Sequence, residues 1–166
     1  MQPFERELTA LLPRLRRFAH ALSRSPADAD DLTQATAERM LRSRHQWEPG
    51  TRFDAWAFRI MRNLWVDTAR SKARLEKHLA PEDEGMNIGH DPSEQLEVRS
   101  ELVALMEALT RLPDEQREVI ALVAIEGLGY GEVARLLDLP VGTVSTRVMR
   151  GRLALLAMLG ARGHDR

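Results

Sequence analysis

Between Pro140 and Leu159 this 166-residue chain carries three arginines and no acidic residue, although its formal net charge is only −1. In the stretch "DLPVGTVSTRVMRGRL", Asp138 to Leu153, the side chains able to do chemistry are Ser145, Thr146, Arg147, Met149, Arg150 and Arg152. On a helix turning about 100° per residue, Thr146, Met149 and Arg150 fall roughly opposite Val144, with Ser145 and Arg147 on the flanks. Laid in a major groove, that face offers Arg150 to a guanine edge and Ser145, Thr146 and Met149 to nearby bases or methyls. Arg147 and Arg152 would then reach phosphates. The plainer alternative is a basic surface helix in a bundle. So few cations neutralise few phosphates, so DNA binding by this helix alone is expected to be weak and salt-sensitive.

A second set lies in "RFDAWAFRIMRNLWVDTARSKAR". Phe53, Ala57, Ile60, Met61 and Leu64 form an apolar arc; Trp56, Arg59, Asn63, Arg70 and Arg74 cluster near the opposite side, with Arg62 adjacent. Cations with an amide and a ring suit single-stranded nucleic acid, whose unstacked bases meet polar groups and aromatic faces. Trp56 and Trp65 serve equally well as core residues, and large aromatics favour that reading. A third set, Asp31, Gln34, Glu38 and Arg42 in "DADDLTQATAERMLR", is spaced 3, 4 and 4 on one polar stripe, with Leu32, Ala35 and Met40 inside. It fits a docking surface for a basic partner helix or a solvated face, and the physics alone favours the solvated face.

Catalysis finds little support. The five histidines, His20, His45, His78, His90 and His164, are scattered, with no HExxH spacing, phosphate-binding glycine loop or nucleophile elbow. Neither a metal nor a cofactor is expected, and the chain is expected not to be an enzyme. The absence of cysteine excludes a disulfide scaffold and is compatible with the cytosol. The N-terminus is interrupted by charges every few residues, unlike a secretory signal. The runs "VIALVAI" and "LALLAMLGA" fall far short of the roughly 18 residues a membrane span needs. A soluble, cytoplasmic chain without membrane insertion is expected.

Helices must position these side chains, because period-2 alternation of β-branched residues is absent. The predicted fold is all-α: two small helical domains joined by an acidic linker, the second a helix-turn-helix. Helices are predicted near 2–23, 27–45, 53–73, 93–110, 114–126, 130–137 and 140–159. Ser25, Pro26 and Asp28 supply a cap, a first-turn proline and a first-turn acid for the second. Pro49-Gly50 breaks the chain before Phe53, Pro113 opens a helix and Gly127 closes it. Charge divides the chain likewise: residues 1–74 hold 14 Lys/Arg against 9 Asp/Glu, 75–101 hold 2 against 8, and 102–166 hold 8 against 8. The middle piece, rich in Pro, Gly, Asp and Glu, reads as linker, solvated unless a partner uses its acid. Each half has few apolar residues, so modestly stable bundles that lean on partners are expected.

Taken together, "DADDLTQATAERMLR", "FDAWAFRIMRNLWVDTAR" and "LTRLPDEQREVIALVAIEGLGYGEVARLLDLPVGTVSTRVMRGR" resemble successive motifs of bacterial RNA polymerase sigma factors. The resemblance is to the small extracytoplasmic-function (ECF) group, which keeps two of the family's domains, and it covers nearly the whole chain in order. It implies a region-two-like domain over 1–75, an acidic linker over 76–101 and a region-four-like domain over 102–166. Asp31, Gln34, Glu38 and Arg42 would dock on the clamp helices of the polymerase β′ subunit, with the β flap a second contact on core polymerase. The loop from Trp47 through Arg52 to Phe53, with Asn63, would capture a flipped base of the minus-ten element, and Trp56 would bind the same element. Arg59, Arg62, Arg70 and Arg74 would follow the strand. Thr143, Ser145, Thr146, Arg147, Met149 and Arg150 would read the minus-thirty-five element. The linker would thread toward the RNA exit path, where acid can imitate a nucleic-acid strand. Relatives often carry Lys or Arg where this chain has Ser145, which leaves its promoter preference open. "RNLWVD" resembles the general-stress-response branch of the group.

Under this resemblance the partners are core polymerase, promoter DNA and an anti-sigma factor covering the exposed surfaces. The competing readings are a sigma mimic that sequesters such an inhibitor and a free-standing helix-turn-helix regulator. A mimic tends to lose its DNA-reading residues and carry a receiver domain, and a free regulator has no use for "DDLTQ" and "FDAWAFRIMRN".

Overall fold

The first helix is pinned at its start. Pro3 occupies the opening position, where a missing N–H costs nothing, and the Gln2 amide donates to Glu5 Oε2 at 3.3 Å. Helix α1 runs Pro3–Leu22, α2 Pro26–Arg42 and α3 Phe53–Glu76, followed by α4 Leu96–Arg111, α5 Asp114–Ile120, α6 Tyr130–Leu137 and α7 Val141–Gly163. The computed structural model describes residues 2–76 and 96–163, and among these there is no strand. The chain divides into two compact units, Met1–Met86 and Asn87–Arg166.

In the N-terminal unit α1, α2 and α3 pack mutually. Leu8, Leu11, Leu15, Phe18 and Leu22 of α1 meet Ala29, Leu32 and Met40 of α2 and Phe53, Ala57, Phe58 and Met61 of α3, all buried. Each of the larger side chains contributes about 1.5–3 kcal/mol by leaving water. Phe18 and Phe58 meet edge to face at 5.2 Å. The predicted cap of α2 is present, Ser25 Oγ accepting from the Asp28 amide at 3.1 Å. That helix stops at Arg42, short of the expected 45, and Arg44–Gln46 tighten into a 3-10 turn. Ala35, expected inside α2, is exposed. Thr36 is buried in its place, because its hydroxyl satisfies itself on the Leu32 carbonyl at 2.7 Å. On α3, Ile60 and Leu64 are only half-buried, while Phe58, outside the predicted arc, is fully enclosed.

In the C-terminal unit α7 packs on α4, α5 and α6. The turn into α5 is closed by the buried Arg117, which donates to Asp114 Oδ1 at 2.6 Å and to the Leu112 carbonyl at 3.1 Å. The predicted helix 114–126 is regular only to Ile120. Ala121–Ile125 then form a π-helical turn. Gly127, at φ +72°, ends it, and the Leu128 amide reaches back to the Leu122 carbonyl at 3.0 Å. Helix α6 has the expected bounds, with Glu132 accepting from the Gly129 amide at 3.1 Å. Asp138 turns the chain at φ +57°, a left-handed conformation that Asp tolerates better than most residues. Helix α7 then begins beyond Pro140 and outlasts its expected end by four residues. Val144, Val148, Gly151 and Leu155, spaced 4, 3 and 4, form its buried stripe, with Leu159 half-buried. The expected linker falls mostly on residues 77–95, which lie outside the described residues, as do residues 93–95 of the helix expected from 93.

Candidate nucleic-acid interfaces

Helix α7 keeps its two faces chemically separate. Ser145, Met149, Arg150 and Arg152 are exposed, and Met149 stands 56% accessible, a large apolar side chain left in water. Thr143, Thr146 and Arg147 are half-buried. The Thr146 hydroxyl donates its proton to the Gly142 carbonyl at 2.9 Å, so its methyl and the lone pairs of its oxygen are what a base would meet. Arg147 is drawn toward α5 by Glu115, 3.5 Å away. Glu115 and Gln116 with Gly142, Thr143, Thr146, Arg147 and Arg150 line an open cleft of about 380 Å3. Four of the six side chains expected to read DNA, Thr143, Thr146, Arg147 and Arg150, therefore line one cleft, and Ser145 and Met149 lie outside its lining. Glu115, which orients Arg147, was invisible in the sequence because its partner lies far along the chain.

In the N-terminal unit the expected base-capture loop closes into an aromatic cluster. Trp47 meets Phe53 edge to face at 5.2 Å and Phe4 at 6.0 Å. Trp56 meets Phe53 at 5.8 Å and Phe4 at 6.1 Å, and Phe4 and Phe53 stand 5.3 Å apart. Both tryptophans are half-buried, so the core and surface readings of Trp56 are each partly right. The Trp47 indole N–H is enclosed without a hydrogen-bond partner. The loop beyond it is turned by Gly50, at φ +93°, and by Thr51, whose hydroxyl donates to the Glu48 carbonyl at 2.6 Å.

Asp54 ties this loop to α1 and α3. It accepts from Arg52 at 2.8 and 3.2 Å, from Arg14 at 3.2 Å and from the Ala55 amide at 2.8 Å. Partial burial alone would push its carboxyl up; the Arg52 hydrogen bond, the Ala55 amide, the Arg52 charge and Arg14 together outweigh that and hold it below the usual carboxylate value. Arg52 is thus committed to Asp54 as well as lying in the loop. Along α3, Arg59, Asn63, Arg70 and Arg74 are exposed and Arg62 is half-buried, which leaves a cationic face one helix long. Asp31, Gln34, Glu38 and Arg42 are all exposed on α2, Gln34 donating to Glu38 at 3.3 Å. Phe4, Arg14 and Asp54 escaped the sequence reading; an aromatic at the second position of a helix carries no local signal of a partner 43 positions away.

Among the described residues no group of three His, Cys, Asp or Glu side chains could hold a metal ion, and no helix is long and apolar enough to cross a membrane.

These two surfaces coincide with two known domain families: residues 8–75 match Sigma-70 region 2, and residues 102–155 match Sigma-70 region 4. The pair defines a polymerase sigma factor reduced to two domains. EcfG of Rhodopseudomonas palustris, an ECF RNA polymerase sigma factor, is 35% identical over 159 residues, covering 96% of this chain and 86% of EcfG. The chain belongs to the ECF RNA polymerase sigma factors. SigE of Mycolicibacterium smegmatis is 42% identical over 144 residues, 86% of this chain but only 56% of SigE. Among solved structures, RpoE of Bartonella quintana bound to the anti-sigma factor NepR is similar with a TM-score of 0.80 at 29% identity, covering 96% and 98% of the two chains. CnrH bound to the cytosolic domain of CnrY gives 0.70 at 28%, covering 95% and 88%.

Proposed function

We propose that this chain is a cytoplasmic ECF sigma factor that binds core RNA polymerase and directs promoter-specific initiation, without catalytic chemistry of its own. The carrying observation is that a region-four-like unit exposes Ser145, Met149 and Arg150 on one helix face while a region-two-like unit presents an aromatic loop beside a cationic helix. In this reading residues 102–166 dock α7 in the major groove of the minus-thirty-five element, Arg150 toward a guanine and Arg147 toward phosphate. Residues 1–75 bind the β′ clamp helices through Asp31, Gln34, Glu38 and Arg42. Their loop, with Trp47, Trp56 and Asn63, takes up an unstacked minus-ten base, which stabilises melted DNA without consuming a nucleotide. Residues 76–101 join the two.

Each unit offers few cations, so neither holds DNA firmly; polymerase links them, and each contact raises the effective concentration of the other. The complexes of RpoE with NepR and of CnrH with CnrY support an anti-sigma partner here too. A mimic is less well supported, since Met149 and Arg150 stand open to DNA, and so is a free-standing regulator, since residues 8–75 match Sigma-70 region 2. Run-off transcription with purified core polymerase across a promoter library tests the proposal. Transcripts from a defined promoter class only when the chain is added are expected; an unchanged transcript set would overturn it.

A further inference from the structure

Three rings around the base-capture loop converge on a side chain outside it. Phe4 is 8% exposed and lies 5.3 Å from Phe53, 6.0 Å from Trp47 and 6.1 Å from Trp56, each pair tilted by 63° to 81°. It precedes the segment that matches Sigma-70 region 2, which begins at residue 8. We propose that Phe4 is a positioning residue that holds the Trp47 loop in the shape that receives an unstacked base; this rests on the reading of that loop given above.

The polar contacts within the loop span few residues: Trp47 N–H to the Arg44 carbonyl at 3.3 Å, Thr51 N–H to Glu48 at 3.1 Å, and Arg52 to Asp54. None of these fixes the indole of Trp47 against α3. Its N–H has no acceptor, so a polar anchor does not hold the ring inward; edge contacts with Phe4 and Phe53 do. Take Phe4 away and water draws the unsatisfied N–H outward, carrying the loop with it. The first turn of α1 is built to prevent this. Pro3 and the Gln2–Glu5 contact stop the helix end from fraying and so keep the Phe4 ring in place.

Phe4→Leu keeps an apolar side chain in the core while removing the ring edges, and is tested beside Trp47→Ala in full-length chain assembled with core polymerase. The probe is the single-stranded nontemplate strand of a promoter that the run-off library identifies, with the duplex minus-thirty-five element as control. For Phe4→Leu the affinity for core polymerase and for the duplex control is expected to stay within about twofold, while single-strand binding falls roughly tenfold and tryptophan emission shifts to the red. Single-strand binding and emission both unchanged in Phe4→Leu, with Trp47→Ala impaired, would overturn the role of Phe4 and leave the loop assignment standing. If Trp47→Ala also binds the strand as the native chain does, the loop is not the capture site and both readings fall. Loss of polymerase and duplex binding in Phe4→Leu would make Phe4 a general folding residue and sink the proposal as well.

Discussion

Arg147 and Arg150 are one turn apart on α7 but live in different surroundings, one half-buried beside Glu115, the other open. Arg150→Ala is expected to reduce transcription from promoters with an intact upstream element by about 10- to 100-fold, the range for losing one bidentate base contact, and to relax selectivity at one base pair. Promoter-variant transcription assays measure this, and equal loss on every variant would reassign Arg150 to phosphate. Asp54 gives a pH prediction. Its folded carboxyl is held below the ordinary value, so the contribution to stability is present above the unfolded pKa of about 3.9 and disappears as pH falls through the lower folded value. Asp54→Asn should therefore unfold more easily near neutral pH and converge with the native chain in strong acid. Denaturant titrations across that window decide it. At Gly151 an added Cβ would sit 2.9 Å from Ile120 Cγ1, closer than real contacts allow. Gly151→Ala should destabilise the C-terminal unit by about 1–3 kcal/mol through overpacking, read by thermal unfolding.

At the scale of elements, the signals that worked were local. Ser25-Pro26, Gly127 and the short apolar pattern of 130–137 each state a helix boundary within a few residues, and the structure carries a cap, a positive-φ glycine and α6 at those places. Ser25→Ala should lower stability of the N-terminal unit by about 1 kcal/mol, measured by thermal or denaturant unfolding, because the Asp28 amide loses its acceptor. What escaped the sequence depended on neighbours distant in the chain. A threonine that satisfies its own hydroxyl can take a core position, so Thr36 displaced Ala35; a helix stripe wide enough to meet two partners admitted Phe58; and α5 slips into a π turn where periodicity alone continues a regular helix. The same limit applies to the interfaces. The exposed residues of α7 and the polar stripe of α2 follow from spacing, whereas Glu115, which holds Arg147, and Phe4, which packs on Trp47, come from other helices.

For the whole molecule the distribution of charge matters more than its total. The N-terminal part is basic, the middle acidic and the C-terminal part balanced, so a free chain has only scattered attraction for DNA. Isolated chain is expected to bind duplex promoter weakly, with affinity falling steeply as salt rises, while the assembled polymerase binds tightly; tight duplex binding by the chain alone would contradict the proposed division of labour. Reversing charge at Asp31 and Glu38, both exposed and away from the core, should weaken polymerase binding by at least about tenfold while leaving the helical content intact. A pull-down with full retention would remove that docking assignment. The separation of the two faces of α7 has a further use. Because Val144, Val148, Gly151 and Leu155 carry the packing and Ser145, Met149 and Arg150 do not, the latter three can be exchanged as a set with the helix still seated. A regulator retargeted by three outward substitutions would drive a chosen gene set beside the native one, provided the small residue at the contact with Ile120 is never enlarged.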